Sequence, residues 1–239
     1  MKTDEQVVEA LQRLRALVRA AEDEALLAVM LHESWKPTAY DVDLHARMGT
    51  SFATHTFNVV GMALRRELLL ALARVWDTNK RAVRLTAISD TIRDEQCFDA
   101  LVRERAESLK LDHAPVELMR QTLAPKRAEV LELIRKYMQD GERASVLESL
   151  RSLRHERLAH RQVHGPIKVA EKQATDEQIE ALYEDTLEIV TRLLSLVLAH
   201  AFDIPNDAVR VYRHHARHFW AAVRGERTEG HPDFAKPER

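Results

Sequence analysis

Apolar residues recur at intervals of three and four along nearly the whole chain, the period of an amphipathic helix and not the alternation of a strand. The first run opens with a hydroxyl at Thr3 and Gln6 three residues later, a capping box, and then lays Val7, Leu11, Leu14, Val18, Ala25 and Val29 on one stripe. It fades by "SWKPTAYD". A second long helix is read from about Ser51 to Val75, and Gly61 inside it marks a close helix contact, because the pattern resumes on the same face. After the connector "DTNKRAV", shorter helices are expected near Leu85 to Ile92 and Asp94 to Leu109. "DHAP" leads to a helix from about Val116 to Met138, in which Pro125 kinks or interrupts the chain, and Gly141 stops it. The next helix begins near Glu142 and is followed by the loop "RQVHGPIKVAEKQA". Thr175 with Gln178 caps a helix through His200, "DIPND" ends it, and the last helix runs from about Ala208 to Arg224. The expected architecture is an all-α, single-domain helical bundle over residues 1–224. Residues 225–239 carry too little apolar content to pack and are expected to be a flexible tail.

Composition supports that reading, since 45% of the 239 residues are hydrophobic and only 5% aromatic, with 6 Gly and 7 Pro spread thinly and no linker-like stretch. The balance of 36 basic against 38 acidic residues gives a formal charge of -2, so any polyanion site must be local. The lone cysteine, Cys97, excludes an internal disulfide, fits a reducing cytoplasm and reads as packing. The segment "MKTDEQVVEALQRLR" lacks the basic start and apolar block of a signal peptide, and no apolar run approaches the roughly 20 residues that span a bilayer. A soluble, cytoplasmic protein without membrane association is expected.

One stretch breaks the pattern. In "LESLRSLRHERLAHRQ", Leu147 to Gln162, each residue turns about 100° around the helix axis, so Val146, Leu147, Leu150, Leu153 and Leu158 share an arc of roughly 140°. Arg154 falls near the middle of that arc, Arg157 falls inside it and His160 lies at its edge, while Ser152, His155 and Glu156 point away. Burying such charges costs several kcal/mol unless they are paired or wet. Either the arginines pair with core glutamates of a facing helix and His160 donates to a backbone carbonyl, or they line a cleft that receives an anion. Phosphate suits the arginine fork.

"RHERLAH", with Arg154, the polar His155 directly after it and His160 six positions on, resembles the signature of the HEPN superfamily (higher eukaryotes and prokaryotes nucleotide-binding), an Arg and a His separated by four to six residues. The likeness extends over roughly Thr3 to Ala201. With its long leading helices and "LLLALARVWDTNKRAVRLTAI", the chain looks like the abortive-infection branch of that superfamily. The resemblance implies a HEPN-like four-helix core with extra flanking helices. It also implies a metal-independent endoribonuclease of toxin or abortive-infection type, in which a ribose 2′-hydroxyl attacks the adjacent phosphorus and leaves a cyclic phosphate end. Histidine titrates near neutrality, so His160 is assigned proton transfer. Arg154 would stabilise the phosphoryl charge, His155 would orient both groups, and Arg157 with Arg161 would hold the RNA backbone. Six residues separate Arg154 from His160 by about 9 Å along a helix and about 120° around it, a thin site for one copy. HEPN nucleases typically bring two motifs together by dimerising. The implied partners are RNA, a second copy of the chain, and an antitoxin or nucleotidyltransferase, with no cofactor and no metal. The alternative is a non-catalytic HEPN module that binds RNA, a nucleotide or a protein through the same groove.

"YRHHARHFW" sets His214 and His218 one turn apart, a zinc-compatible spacing with Asp203, Asp207 or His200 as a third ligand. The same helix reads as an auxiliary RNA-binding patch of Arg210, Arg213 and Arg217 with Tyr212 for stacking, or as a basic solvated face with Phe219 and Trp220 packed inward. Asp41 and Asp43 in "YDVDLH" read as a solvated turn, and the chain has no Gly-rich phosphate loop.

Overall fold

Thr3 starts the first helix as its spacing predicts: the hydroxyl accepts from the Gln6 amide and the Gln6 side chain accepts from the Thr3 amide. In the computed structural model, which describes residues 2–49, 51, 53–77, 83–109, 116–153 and 174–223, this helix, α1, spans Asp4–Tyr40. It is followed by α2 (Val42–Met48), α3 (Thr54–Val75), α4 (Leu85–Arg93), α5 (Glu95–Ser108), α6 (Val116–Arg135), α7 (Ala144–Leu153), α8 (Asp176–Leu193) and α9 (Val209–Ala222). Among the described residues there is no strand, only an isolated bridge between Trp76 and Arg84. The all-α expectation holds. No described helix is long and apolar enough to cross a membrane.

α1 is the axis of the bundle. Its stripe of Leu11, Leu14, Val18, Ala21, Ala25, Ala28 and Val29 is buried against α3, α4, α5, α8 and α9. The alanines keep the stripe narrow and let several helices approach at once. A smaller apolar cluster of Leu44, Met48, Phe57, Ala216 and Trp220 ties α2 and α3 to α9.

α1 does not fade at "SWKPTAYD"; it continues through Pro37 to Tyr40. Tertiary packing overrides the proline, because Trp35 and Thr38 are buried and the Trp220 indole of α9 donates to the Ser34 carbonyl at 2.9 Å. Pro125 likewise sits inside a continuous α6. The chain leaves α6 after Arg135, and a tight turn through Asp140, at φ 70°, and Gly141 leads into α7. A side chain at Gly141 would meet the Lys136 carbonyl at 2.3 Å, so only glycine fits there. Asp41 is the N-cap of α2, accepting from the Leu44 amide at 2.9 Å. The helix opened by the Thr175–Gln178 capping box ends earlier than expected, passing at Leu193 into a π-helical turn, Leu194–Leu198, that closes on Ala199 in the left-handed region at φ 58°. A second π-helical turn, Ile204–Ala208, leads into α9. The segment 225–239 lies outside the described residues.

Candidate functional site

Two anchors hold the described residues on either side of the HEPN-like motif. The first is α7, whose Val146, Leu147 and Leu150 are buried and which packs on α3 and α8. Its start is pinned by Arg143, whose guanidinium donates to Asp185 of α8 at 2.6 Å and to the Tyr137 hydroxyl at 3.1 Å, while that hydroxyl donates to Asp185 at 2.7 Å. Burial pushes the Tyr137 phenol up, so it stays a neutral donor. The second anchor is the Ala174 amide, which donates to Ser149 of α7 at 2.7 Å just before the α8 capping box. Arg154, His155, Arg157, His160 and Arg161 fall between the anchors, outside the described residues.

A second constellation gave a signal of the same kind that the sequence reading missed: His32 continues the buried stripe of Ala25, Ala28 and Val29, where an apolar residue belongs. It and its neighbour Glu33 are each only 2% exposed. The ring nitrogens face two carboxylates, Nδ1 toward Glu33 at 3.2 Å and Nε2 toward both oxygens of Glu180 on α8 at 2.9 Å. Arg213 of α9 donates to Glu33 at 2.9 Å. Tyr183 stacks on the His32 ring at 4.0 Å, and its buried hydroxyl has no hydrogen-bond partner among the described residues. These side chains, with Lys36, line a cleft of about 430 Å³.

The electrostatics make this cluster a lock. Burial alone would push His32 down, but its hydrogen bonds to Glu180 and Glu33 outweigh that and the ring titrates above its ordinary value. Glu33 is pulled down by His32 and Arg213 against its own burial, and Glu180 is pulled down chiefly by His32. With His32 protonated, two cations face two carboxylates and the charges cancel. Both ring nitrogens are then engaged as donors, so no lone pair is left to accept a substrate proton. The cluster joins α1, α8 and α9 and thereby fixes α8, the helix that receives the chain after the motif.

The basic helix α9 is divided in its roles. Arg213 is committed to a buried carboxylate, whereas Arg210 and Arg217 are exposed, with Asp207 the nearest acid to Arg210 at 3.8 Å. His214, His215, His218, Phe219 and Ala222 line a shallow groove of about 540 Å³. Phe219 is 60% exposed, contrary to the inward packing expected of it, and Trp220 alone of that pair turns in, its ring edge-on to Phe57 at 5.7 Å. Among the described residues no three His, Cys, Asp or Glu side chains gather to hold a metal ion. The residues considered as third ligands are engaged elsewhere: Asp203 caps the second π-helical turn and His200 faces Glu22 at 3.7 Å. Cys97 is buried, its thiol pushed up by burial and approached by the Lys2 ammonium at 3.4 Å.

No curated protein and no solved structure matches the chain. The AbiU2 family model of HEPN domains matches residues 6–219, a span that contains the whole of "RHERLAH" and every described helix apart from its outermost residues. The chain therefore belongs to the AbiU2 family, a HEPN family of abortive-infection domains.

Proposed function

We propose that this HEPN domain is a metal-independent endoribonuclease acting as a toxin-like abortive-infection effector in the cytoplasm, restrained by an antitoxin or nucleotidyltransferase partner. The observation that carries the proposal is that "RHERLAH" begins in sequence at the residue after α7, a helix whose Val146, Leu147 and Leu150 are buried in the bundle. The family match over the same residues supports it. His160 takes the proton of the attacking 2′-hydroxyl, Arg154 carries the charge that grows on the phosphoryl oxygens, and the bond to the 5′-oxygen breaks, that oxygen taking up a proton to leave as a hydroxyl while a cyclic phosphate remains on the other end. His155 orients the pair. Arg157 and Arg161 hold the RNA backbone, and Arg210 and Arg217 extend that contact along α9.

Substituting His160→Ala or Arg154→Ala should each lower cleavage of single-stranded RNA by at least about 100-fold, the contribution of a positioned acid or base. Melting temperature should stay close to that of the parent, and EDTA should leave cleavage by the parent intact. A variant that cuts like the parent would remove that residue from the mechanism. A parent that binds RNA but never cuts it would identify a non-catalytic HEPN module.

A further inference from the structure

On α1, α5 and the first π-helical turn lies an open cavity of about 300 Å³ that includes Arg15, Arg19, Arg105, Glu104 and Ser108 in its lining. Its wall at Val197 lies 23 residues beyond Ala174, roughly 30 Å along the helix axis. We infer that this cavity is a second, independent binding site for a phosphate group.

The charge count is the first reason. Three guanidinium groups line the cavity against one carboxylate, Glu104, which is paired with Arg15, in a chain whose formal charge is -2. Arg15 and Arg19 stand one turn apart on α1, a like-charge pair that weakens a helix unless something offsets it. Among the described residues no carboxylate pairs with Arg19 or with Arg105.

Arg105 is the second reason. It is partly buried, and its Nη2 donates to the carbonyls of Ser195 and Leu196 at 3.4 and 3.2 Å, which fixes the plane of its fork. Its Nε and Nη1 have no acceptor among the described residues. A half-buried guanidinium with a second arginine nearby and donors to spare is costly as it stands, and an oxyanion lying across the fork would relieve it. The Ser108 hydroxyl, which donates to the Arg105 carbonyl at 2.7 Å, adds a polar group to the same wall. Arginine's planar fork matches phosphate in two places at once, and the volume has room for a phosphate group.

The phosphate could belong to a free small molecule or to an RNA backbone, and one experiment addresses both. Inorganic pyrophosphate is titrated calorimetrically into the full chain at fixed ionic strength, using the parent, His160→Ala, Arg19→Glu and Arg105→Lys. The parent and His160→Ala should bind alike, because the site does not depend on the motif. Arg19→Glu should weaken binding by about tenfold or more, the loss of one charge-assisted contact, without lowering the ligand-free melting temperature, since Arg19 is exposed, pairs with no carboxylate among the described residues, and its replacement relieves the like-charge pair with Arg15. Arg105→Lys keeps the charge but loses the fork and should weaken binding by a similar factor. Equal affinity in the parent and Arg19→Glu, or heat reproduced by added chloride, would overturn the site. Repeating the titration with a DNA oligonucleotide present names the source: competition assigns the site to a nucleic-acid backbone, and undiminished pyrophosphate binding assigns it to a free phosphorylated ligand.

Discussion

His32 is held through both ring nitrogens, and this dictates how stability must follow pH. Because its pKa in the folded chain lies above the ordinary 6.5, its contribution is complete below that value and is lost as pH rises through the raised one. Glu33 and Glu180 are lowered from an ordinary 4.5, so their contribution is present above that value and is lost as pH falls through the lowered ones. The cluster is therefore most stabilising in the weakly acidic window between them. The melting temperature of the parent should decline from that window toward alkaline pH more steeply than that of His32→Gln, and parallel profiles would refute the lock. Arg213→Ala should cost roughly 3 kcal/mol in urea unfolding, the low end for breaking a buried pair, because the arginine end is half exposed while Glu33 is not. Arg210→Ala and Arg217→Ala should change stability by about 0.5 kcal/mol or less. These three arginines look alike in sequence. What separates them is Glu33, 180 residues away and invisible to any local pattern.

At the scale of elements, periodicity and capping located the helices because both are local properties of the chain, and Gly61 was legible as a close contact for the same reason. A Cβ there would lie 2.9 Å from the Thr38 hydroxyl oxygen and 3.3 Å from its Cβ, on the face where α1 and α3 meet. The hydroxyl cannot simply swing aside, since it donates to the Trp35 carbonyl at 2.7 Å. Gly61→Ala should therefore destabilise by about 1–3 kcal/mol, the cost of overpacking, although the same change on an open helix face would stabilise by about 1 kcal/mol. A raised melting temperature would show that the two helices do not touch there. Where the sequence misled, a distant partner decided: Pro37 stays helical because Trp35 and Thr38 are buried and α9 reaches across to Ser34. The candidate site divides similarly. The amphipathic face of α7 was readable from Val146, Leu147 and Leu150, and the motif expected to continue that helix lies outside the described residues, while the His32 cluster required knowing that residues 32, 180 and 213 converge.

For the whole molecule, the proposed mechanism asks whether one copy of the motif is enough. Val146, Leu147 and Leu150 of α7 are already buried within a single chain, so that face is not left over for a partner. The case for a second copy rests instead on the proposed mechanism: on a continuous helix Arg154 and His160 would lie about 9 Å apart along the axis and about 120° around it, a thin site for one copy. α3, which packs beside α7, also leaves Val59 and Met62 44% and 65% exposed one turn apart, an apolar strip suited to a symmetric contact. A homodimer is therefore expected, with light scattering coupled to size exclusion giving about twice the 27.5 kDa chain mass. Mass alone does not show that the two motifs share a cleft, but mixing inactive chains does. Arg154→Ala and His160→Ala homodimers each lack one function throughout, whereas a mixed dimer keeps one Arg154 and one His160 on different copies. If the groups act across the interface, mixing the two variants under exchange conditions should restore part of the RNA cleavage, and the restored activity should fall when the protein is diluted below its dimerisation range. If each copy works alone, the mixture stays as inactive as its components while the mass remains that of a dimer.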